Sequence, residues 1–176
     1  IMKVAVIPAR SGSVELAHKN LSVGGGKSLL NRAIDFAVEA DVFDKIIVTT
    51  DYCEHLFYRE EIEVRNRPEN LATSTTTMVE VLEDVIKTFR LDVEDKIVLL
   101  QPTSPFRSKE DLVKVLELME QYDSVITVKE VELNPALFVT PLNETGLEDK
   151  QVEAKQTNRQ VHQKQYYPTG NLFGVT

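Results

Sequence analysis

Two hydrophobic rhythms alternate along the chain. Residues 2–8, "MKVAVIP", form a short β-branched run that stops at Pro8. Such a run predicts a buried strand. From Ser28 the period changes, and Leu29, Leu30, Ala33, Ile34, Ala37 and Val38 recur at helical spacing. They predict a helix with one apolar face. "KIIVTTD" at 45–51 is a second buried strand with a polar end. Residues 52–61 are expected to form a short helix, and "IEVRNRP" holds a brief third strand. Thr77 and Glu80 have the spacing of a capping box, with Val79, Leu82, Val85, Ile86 and Phe89 as the stripe behind it. "KIVLLQP" at 96–102 is the next buried strand. Ser108 and Asp111 are expected to form another capping box, opening a helix that turns Leu112, Val115, Leu116 and Met119 inward. "SVITV" at 124–128 is a further strand.

Strands that are apolar throughout and alternate with helices predict an α/β fold with a parallel sheet covered on both faces. In such sheets ligands sit beyond the carboxyl ends of the strands. The polar strand ends, "PARSGS", "TTD", "NRP" and "QPTSPFR", therefore become the candidate site. After about residue 129 the texture changes to a polar, Gln-rich stretch with weak periodicity. It is consistent with a solvated loop or with an excursion that packs on another subunit.

The 176 residues suit one domain, or one domain with a small appendage. The net charge of -8 argues against a nucleic-acid scaffold, because phosphate backbones require basic faces. A small anionic ligand is compatible with that charge, since a local cluster of Arg and Lys suffices. The single cysteine, Cys53, rules out an internal disulfide and fits a reducing compartment. No apolar run reaches membrane-spanning length and no signal peptide is visible, so the cytoplasm is the expected location. The chain opens on Ile1-Met2 and ends inside the apolar run "GNLFGVT". The expectation is that more chain follows in the parent protein.

Candidate chemistry concentrates in "VIPARSGSVELAHKN" at 6–20. Its Ser-Gly-Ser, and the later Gly24-Gly25-Gly26, would let backbone N–H groups approach an anion, with Arg10 and Lys19 as fixed cations. A plain turn with solvated cations fits the same letters. "GGGKS" is not a Walker A loop, because Leu21 stands where that motif requires its first glycine. "LLQPTSPFR" at 99–107 is more telling. Its two prolines stiffen a loop that presents Gln101, Thr103, Ser104 and Arg107 just past a buried strand.

Taken in order, "IPARSGS…KN", "FDKIIVTTD", "RPENLA", "LLQPTSPFR" and "NRQ…YYPTGNLFGV" resemble the acylneuraminate cytidylyltransferases, the CMP-sialic acid synthetases and their relatives. The resemblance covers nearly the whole chain. It implies a Rossmann-like three-layer α/β/α nucleotidyltransferase fold. Residues 1–128 would be the nucleotide-binding core, 129–169 a dimerisation and sugar-site excursion, and 170–176 the return strand. The implied reaction transfers CMP from CTP to the anomeric hydroxyl of a sialic-type sugar acid and releases pyrophosphate, for glycoconjugate assembly. By position, Arg10 and Lys19 would bind phosphates, with Ser11, Gly12 and Ser13 around them. Asn20 and Arg67 would lie near the cytosine and ribose, beside Pro8, Ala9 and Ala72. Gln101, Thr103, Ser104, Arg159, Gln160, Tyr167 and Gly170 would face the sugar acid. Arg10, Lys19 and Gln101 are the expected catalytic residues. The family also implies Mg²⁺ and a homodimer.

The chain departs from the family pattern in four places. Val14 and Glu15 replace a lysine and a glycine, Ser74 replaces an aspartate, and Tyr167-Pro168-Thr169-Gly170 replaces Arg-Pro-Asn-Gly. The Asp-x-Asp segment through which relatives are thought to hold Mg²⁺ does not occur in these residues. No metal ligand is identifiable; Asp51 and Asp149 are the nearest carboxylates and neither is a persuasive substitute. These departures leave open two further readings: an impaired or inactive nucleotide-binding homologue, and another sugar-nucleotide transferase.

Overall fold

A computed structural model of the chain describes residues 1–12, 18–53, 56–130, 140–143, 146–148 and 166–176. They fall into two compact units, Ile1–Thr127 with Gly170–Thr176, and Val128–Thr169. In chain order the elements are β1 (Lys3–Ala9), β2 (Val23–Gly24), β3 (Lys27–Ser28), α1 (Leu29–Ala40), β4 (Lys45–Thr50) and β5 (Glu63–Asn66). Then follow α2 (Met78–Phe89), β6 (Lys96–Leu99), α3 (Lys109–Leu118), β7 (Ser124–Glu130), β8 (Thr140–Asn143), β9 (Gly146–Glu148) and β10 (Tyr166–Val175).

The main sheet has the order β5-β4-β1-β6-β10-β7. β1 pairs in parallel with β4 on one side and β6 on the other, and β4 pairs in parallel with β5. β10 returns antiparallel to β6, with Phe173 opposite Leu99 and Val175 opposite Ile97. The sheet is therefore mainly parallel, and the strand predicted for "GNLFGVT" is its antiparallel member. In the second unit β8 and β9 form an antiparallel pair with an irregularity between Pro141 and Asn143.

β1 explains why the sheet is buried on both sides. Its side chains alternate between two cores, as the two-residue period of a strand requires. Ala5, Ile7 and Ala9 join one cluster with Leu30, Ile34 and Ala37 of α1 and Leu112 and Val115 of α3. Val4 and Val6 join the other with Val85 of α2, Ile97 and Leu99. The result is the three-layer α/β/α arrangement.

Each of the three α-helices among the described residues starts at a side-chain cap. Ser28 Oγ accepts from the Asn31 N–H at 3.1 Å. Thr77 and Glu80 complete the predicted capping box in both directions, at 3.3 and 2.7 Å. Ser108 Oγ accepts from the Asp111 N–H at 3.0 Å. The return bond expected there is missing, consistent with Asp111 being one methylene shorter than glutamate. Two other expectations also fail. No α-helix forms among the described residues of 52–61, which run as turns and a brief single-turn segment. The stripe of α2 is rotated from the predicted one: Val81 and Val85 are buried, whereas Val79 is 65% exposed. Met78, Leu82 and Phe89 pack at the edge of that core, so the helix inserts the line between 78, 81/82, 85 and 89.

Candidate active site

The carboxyl ends of β1, β5 and β6 open onto a cleft of about 240 Å3. Its wall includes Pro8, Arg10, Asn20, Arg67, Gln101 and Thr103, drawn from separate segments of the chain. A parallel sheet produces this gathering directly, because every parallel strand ends on the same edge.

On the β1 side, Pro8 and Ala9 are buried and Arg10 is half-buried where the strand leaves the sheet. Two side chains fix that exit. Asn20, only 9% exposed, donates from Nδ2 to the Arg10 carbonyl at 3.0 Å. Ser11 donates its N–H to Asp51 Oδ1 at 2.7 Å and its hydroxyl to Asp51 Oδ2 at 2.6 Å. Asp51 follows β4, so this pair ties the ends of two adjacent strands. Gly12 is exposed, and Lys19 is half-buried at the start of a short 3-10 turn, Lys19–Leu21. Ser13, Val14 and Glu15 lie outside the described residues.

The three glycines do not join this loop. β2 and β3 form a hairpin, with Gly24 opposite Lys27. Gly25 and Gly26 take φ of 58° and 83° between them. Positive φ at both central positions is what a tight two-residue hairpin turn demands, and glycine supplies it without steric cost. The expectation that these glycines help cradle an anion is corrected accordingly: their freedom serves a turn.

On the β4 and β5 side stands Arg67, 8% exposed. Its N–H bonds to the Thr50 carbonyl at 2.7 Å, and its Nη2 donates to the Thr49 carbonyl at 2.9 Å. Burial lowers the Arg67 guanidinium from its ordinary value; the Asp51 charge opposes that shift and Arg10 reinforces it. Two cations thus face one cleft, within electrostatic reach of each other and of one carboxylate. Arg65, two residues earlier, points the other way and forms a bidentate pair with Asp84 of α2, both bonds 2.8 Å. Ala72 ends the 3-10 turn Glu69–Leu71 outside the cleft lining. Thr73 and Thr76 share a hydroxyl hydrogen bond of 2.8 Å and line the cleft with Met78 and Val81.

On the β6 side, Ser104 donates its N–H to the Gln101 carbonyl at 3.0 Å, closing a turn that keeps Gln101 and Thr103 on the cleft. Gly170 has φ of 70°, and a Cβ there would lie 3.3 Å from Ser104 Oγ and 3.5 Å from Gln101 Oε1. Glycine thus lets β10 approach the loop. Arg107 differs from its expected outward display. It turns inward, donating from Nε to the Asn171 carbonyl at 2.7 Å and from Nη2 to the Gln101 carbonyl. Its guanidinium lies 6.0 Å from the Phe36 ring centroid. Burial pushes it down to about 10. Phe106 takes the outward position and is 88% exposed. Tyr167, in the second unit, is about half exposed. Arg159 and Gln160 lie outside the described residues.

The described residues do not fit a protein-built magnesium site. No three His, Cys, Asp or Glu side chains converge among them. Both carboxylate oxygens of Asp51 accept hydrogen bonds from Ser11.

Fold and cleft together define a Rossmann-like nucleotidyltransferase architecture. Among solved structures, a CMP:2-keto-3-deoxy-manno-octonic acid synthetase complexed with CTP superposes with a TM-score of 0.70 at 17% identity, over 98% of this chain and 73% of that one. A family model described as Cytidylyltransferase matches residues 4–170, and the chain belongs to that family. The N-acylneuraminate cytidylyltransferase of Streptococcus agalactiae serotype V is 37% identical over 179 residues, covering 97% of this chain and 42% of the relative. That of Escherichia coli O18:K1:H7 is 32% identical over 176 residues, covering 97% and 41%. The chain therefore spans about two-fifths of the length of these curated relatives.

Proposed function

We propose that the protein binds CTP in the strand-end cleft and transfers CMP to the anomeric hydroxyl of a sialic-type sugar acid, with release of pyrophosphate. The observation that carries this is the convergence of Arg10, Asn20, Arg67 and Gln101 on one cleft at the ends of parallel strands. The names of the relatives point the same way.

Transfer at the α-phosphate requires charge neutralisation on a triphosphate and an acceptor held in line. Arg10 and Lys19 supply the first, with the backbone of Ser11 and Gly12 beside them. Asn20 and Arg67 lie toward the nucleoside, beside Pro8. Gln101, with Thr103, Ser104 and Gly170, forms the acceptor side. Magnesium enters this proposal only as the counter-ion of the triphosphate, and no step is assigned to it. A homodimer through 129–169 and a cytoplasmic location complete the proposal. Among the described residues no helix is long and apolar enough to cross a membrane.

The test is pyrophosphate release from CTP and Mg²⁺ with a panel of sialic, legionaminic, pseudaminic and octulosonic acids. Release with at least one acid is expected. Saturable CTP binding without release under any condition would favour the second reading, a nucleotide-binding homologue that has lost turnover. Val14, Glu15 and Ser74 are the departures that favour it.

A further inference from the structure

The resemblance assigns Asp51 no site role, yet its carboxylate clasps a residue of the β1 exit with both oxygens. Its two oxygens accept the N–H and the hydroxyl of Ser11 at 2.7 and 2.6 Å. Ser11 is the residue after Arg10, and Asn20 holds the Arg10 carbonyl from the other side at 3.0 Å. The backbone that carries Arg10 is therefore held on both flanks, once by a carboxylate on the neighbouring strand end and once by a buried amide. Hydrogen bonds to an ionised acceptor are shorter and stronger than neutral ones. A long cationic side chain loses much rotamer freedom on binding, so a fixed root lowers the cost of placing it.

We infer that Asp51 is a positioning residue of the nucleotide site: through Ser11 it fixes the exit of the chain from β1 and so aims Arg10 at the phosphates of the bound nucleotide. The inference rests on the CTP proposal above.

The discriminating experiment is calorimetric titration of CTP, with cytidine as an uncharged control, in EDTA and again in Mg²⁺. The proteins are the full chain, Asp51→Ala, Asp51→Asn, Ser11→Ala and Asp51→Ala/Ser11→Ala. Asp51→Ala removes both acceptors and is expected to weaken CTP about tenfold in EDTA, while cytidine changes less than twofold. Asp51→Asn keeps an oxygen for the Ser11 N–H and an amide for its hydroxyl, so it is expected to recover most of the loss. The double variant is expected to bind CTP no more weakly than Asp51→Ala, because residues acting through one contact are not additive. Parent binding of CTP that Asp51→Ala retains would overturn this inference alone. A loss seen only with Mg²⁺, and equal in Asp51→Asn and Asp51→Ala, would overturn it in favour of a metal ligand. Equal weakening of CTP and cytidine would overturn it in favour of general disruption. No CTP binding by the parent would overturn the CTP proposal and this inference with it.

Discussion

Arg67 and Arg107 each follow a strand of the same sheet, and each is largely withdrawn from water. Their surroundings differ. Arg67 lines the cleft, where burial lowers its guanidinium and the charges of Asp51, Arg10 and Asp84 act on it in turn. Arg107 faces away from it and grips two backbone carbonyls, at Gln101 in the loop after β6 and at Asn171 in β10. The β4–β5 edge offers a cation to the cleft; the β6–β10 edge spends one on holding its own backbone. A buried arginine costs desolvation in either place. At β6–β10 two backbone carbonyls offset that cost; at β4–β5 the carbonyl and hydroxyl of Thr49 do so, joined by the charges of Asp51 and Asp84 beside the cleft.

The comparison breaks most visibly at Arg107. Arg107→Met removes the guanidinium donor from the Asn171 carbonyl and one of the two donors from the Gln101 carbonyl, and a loss of about 2 kcal/mol is expected. Urea unfolding should show it as a lower midpoint with an unchanged slope. A midpoint within error of the parent would mean that the inward contacts carry no stability. For Arg67→Met the order reverses: CTP affinity should fall about tenfold or more, with a smaller midpoint shift. Gly170→Ala probes the same β10 edge more gently. The positive φ and the approach to Ser104 should cost about 1–2 kcal/mol, read by thermal unfolding. If the alanine variant melts with the parent, the close packing of β10 on the Gln101 loop is wrong.

The smallest effect concerns pH. The bidentate contact with Arg65 holds the Asp84 carboxyl below its ordinary range. A folded-state value below the unfolded one means the unfolded chain binds protons more readily. The contribution of the pair is thus fully present above the unfolded value, about 4, and is lost as pH falls through the folded value. Asp84→Asn should flatten the acid limb of the stability curve below about pH 4 and lower stability at neutral pH. An acid limb identical to the parent's would remove the pair from the account.

What the sequence disclosed, and what it hid, follows from how far each feature depends on distant residues. β1, β4 and β6 were legible because a strand buried on both faces must be apolar throughout. The α1 and α3 faces were legible from period alone. The strand ends that build the cleft followed from the rule for parallel sheets. The face of α2 was misread because its apolar residues cover more than one stripe, and only the sheet beneath decides between Val79 and Val81. Asp51 was hidden because its partner is 40 residues away, and nothing local marks a strand-end aspartate as a clasp. Arg107 was misjudged because an arginine beside two prolines looks solvent-facing until β10 returns with a carbonyl for it. The glycine triplet misled for the opposite reason: φ freedom serves a hairpin as readily as an anion cradle.

The most direct measurement is calorimetric titration of CTP into the parent chain and into Arg10→Ala. Saturable one-to-one binding by the parent, weakened at least tenfold in the variant, is the predicted result. Equal affinity in the two proteins would contradict the placement of the triphosphate at the end of β1.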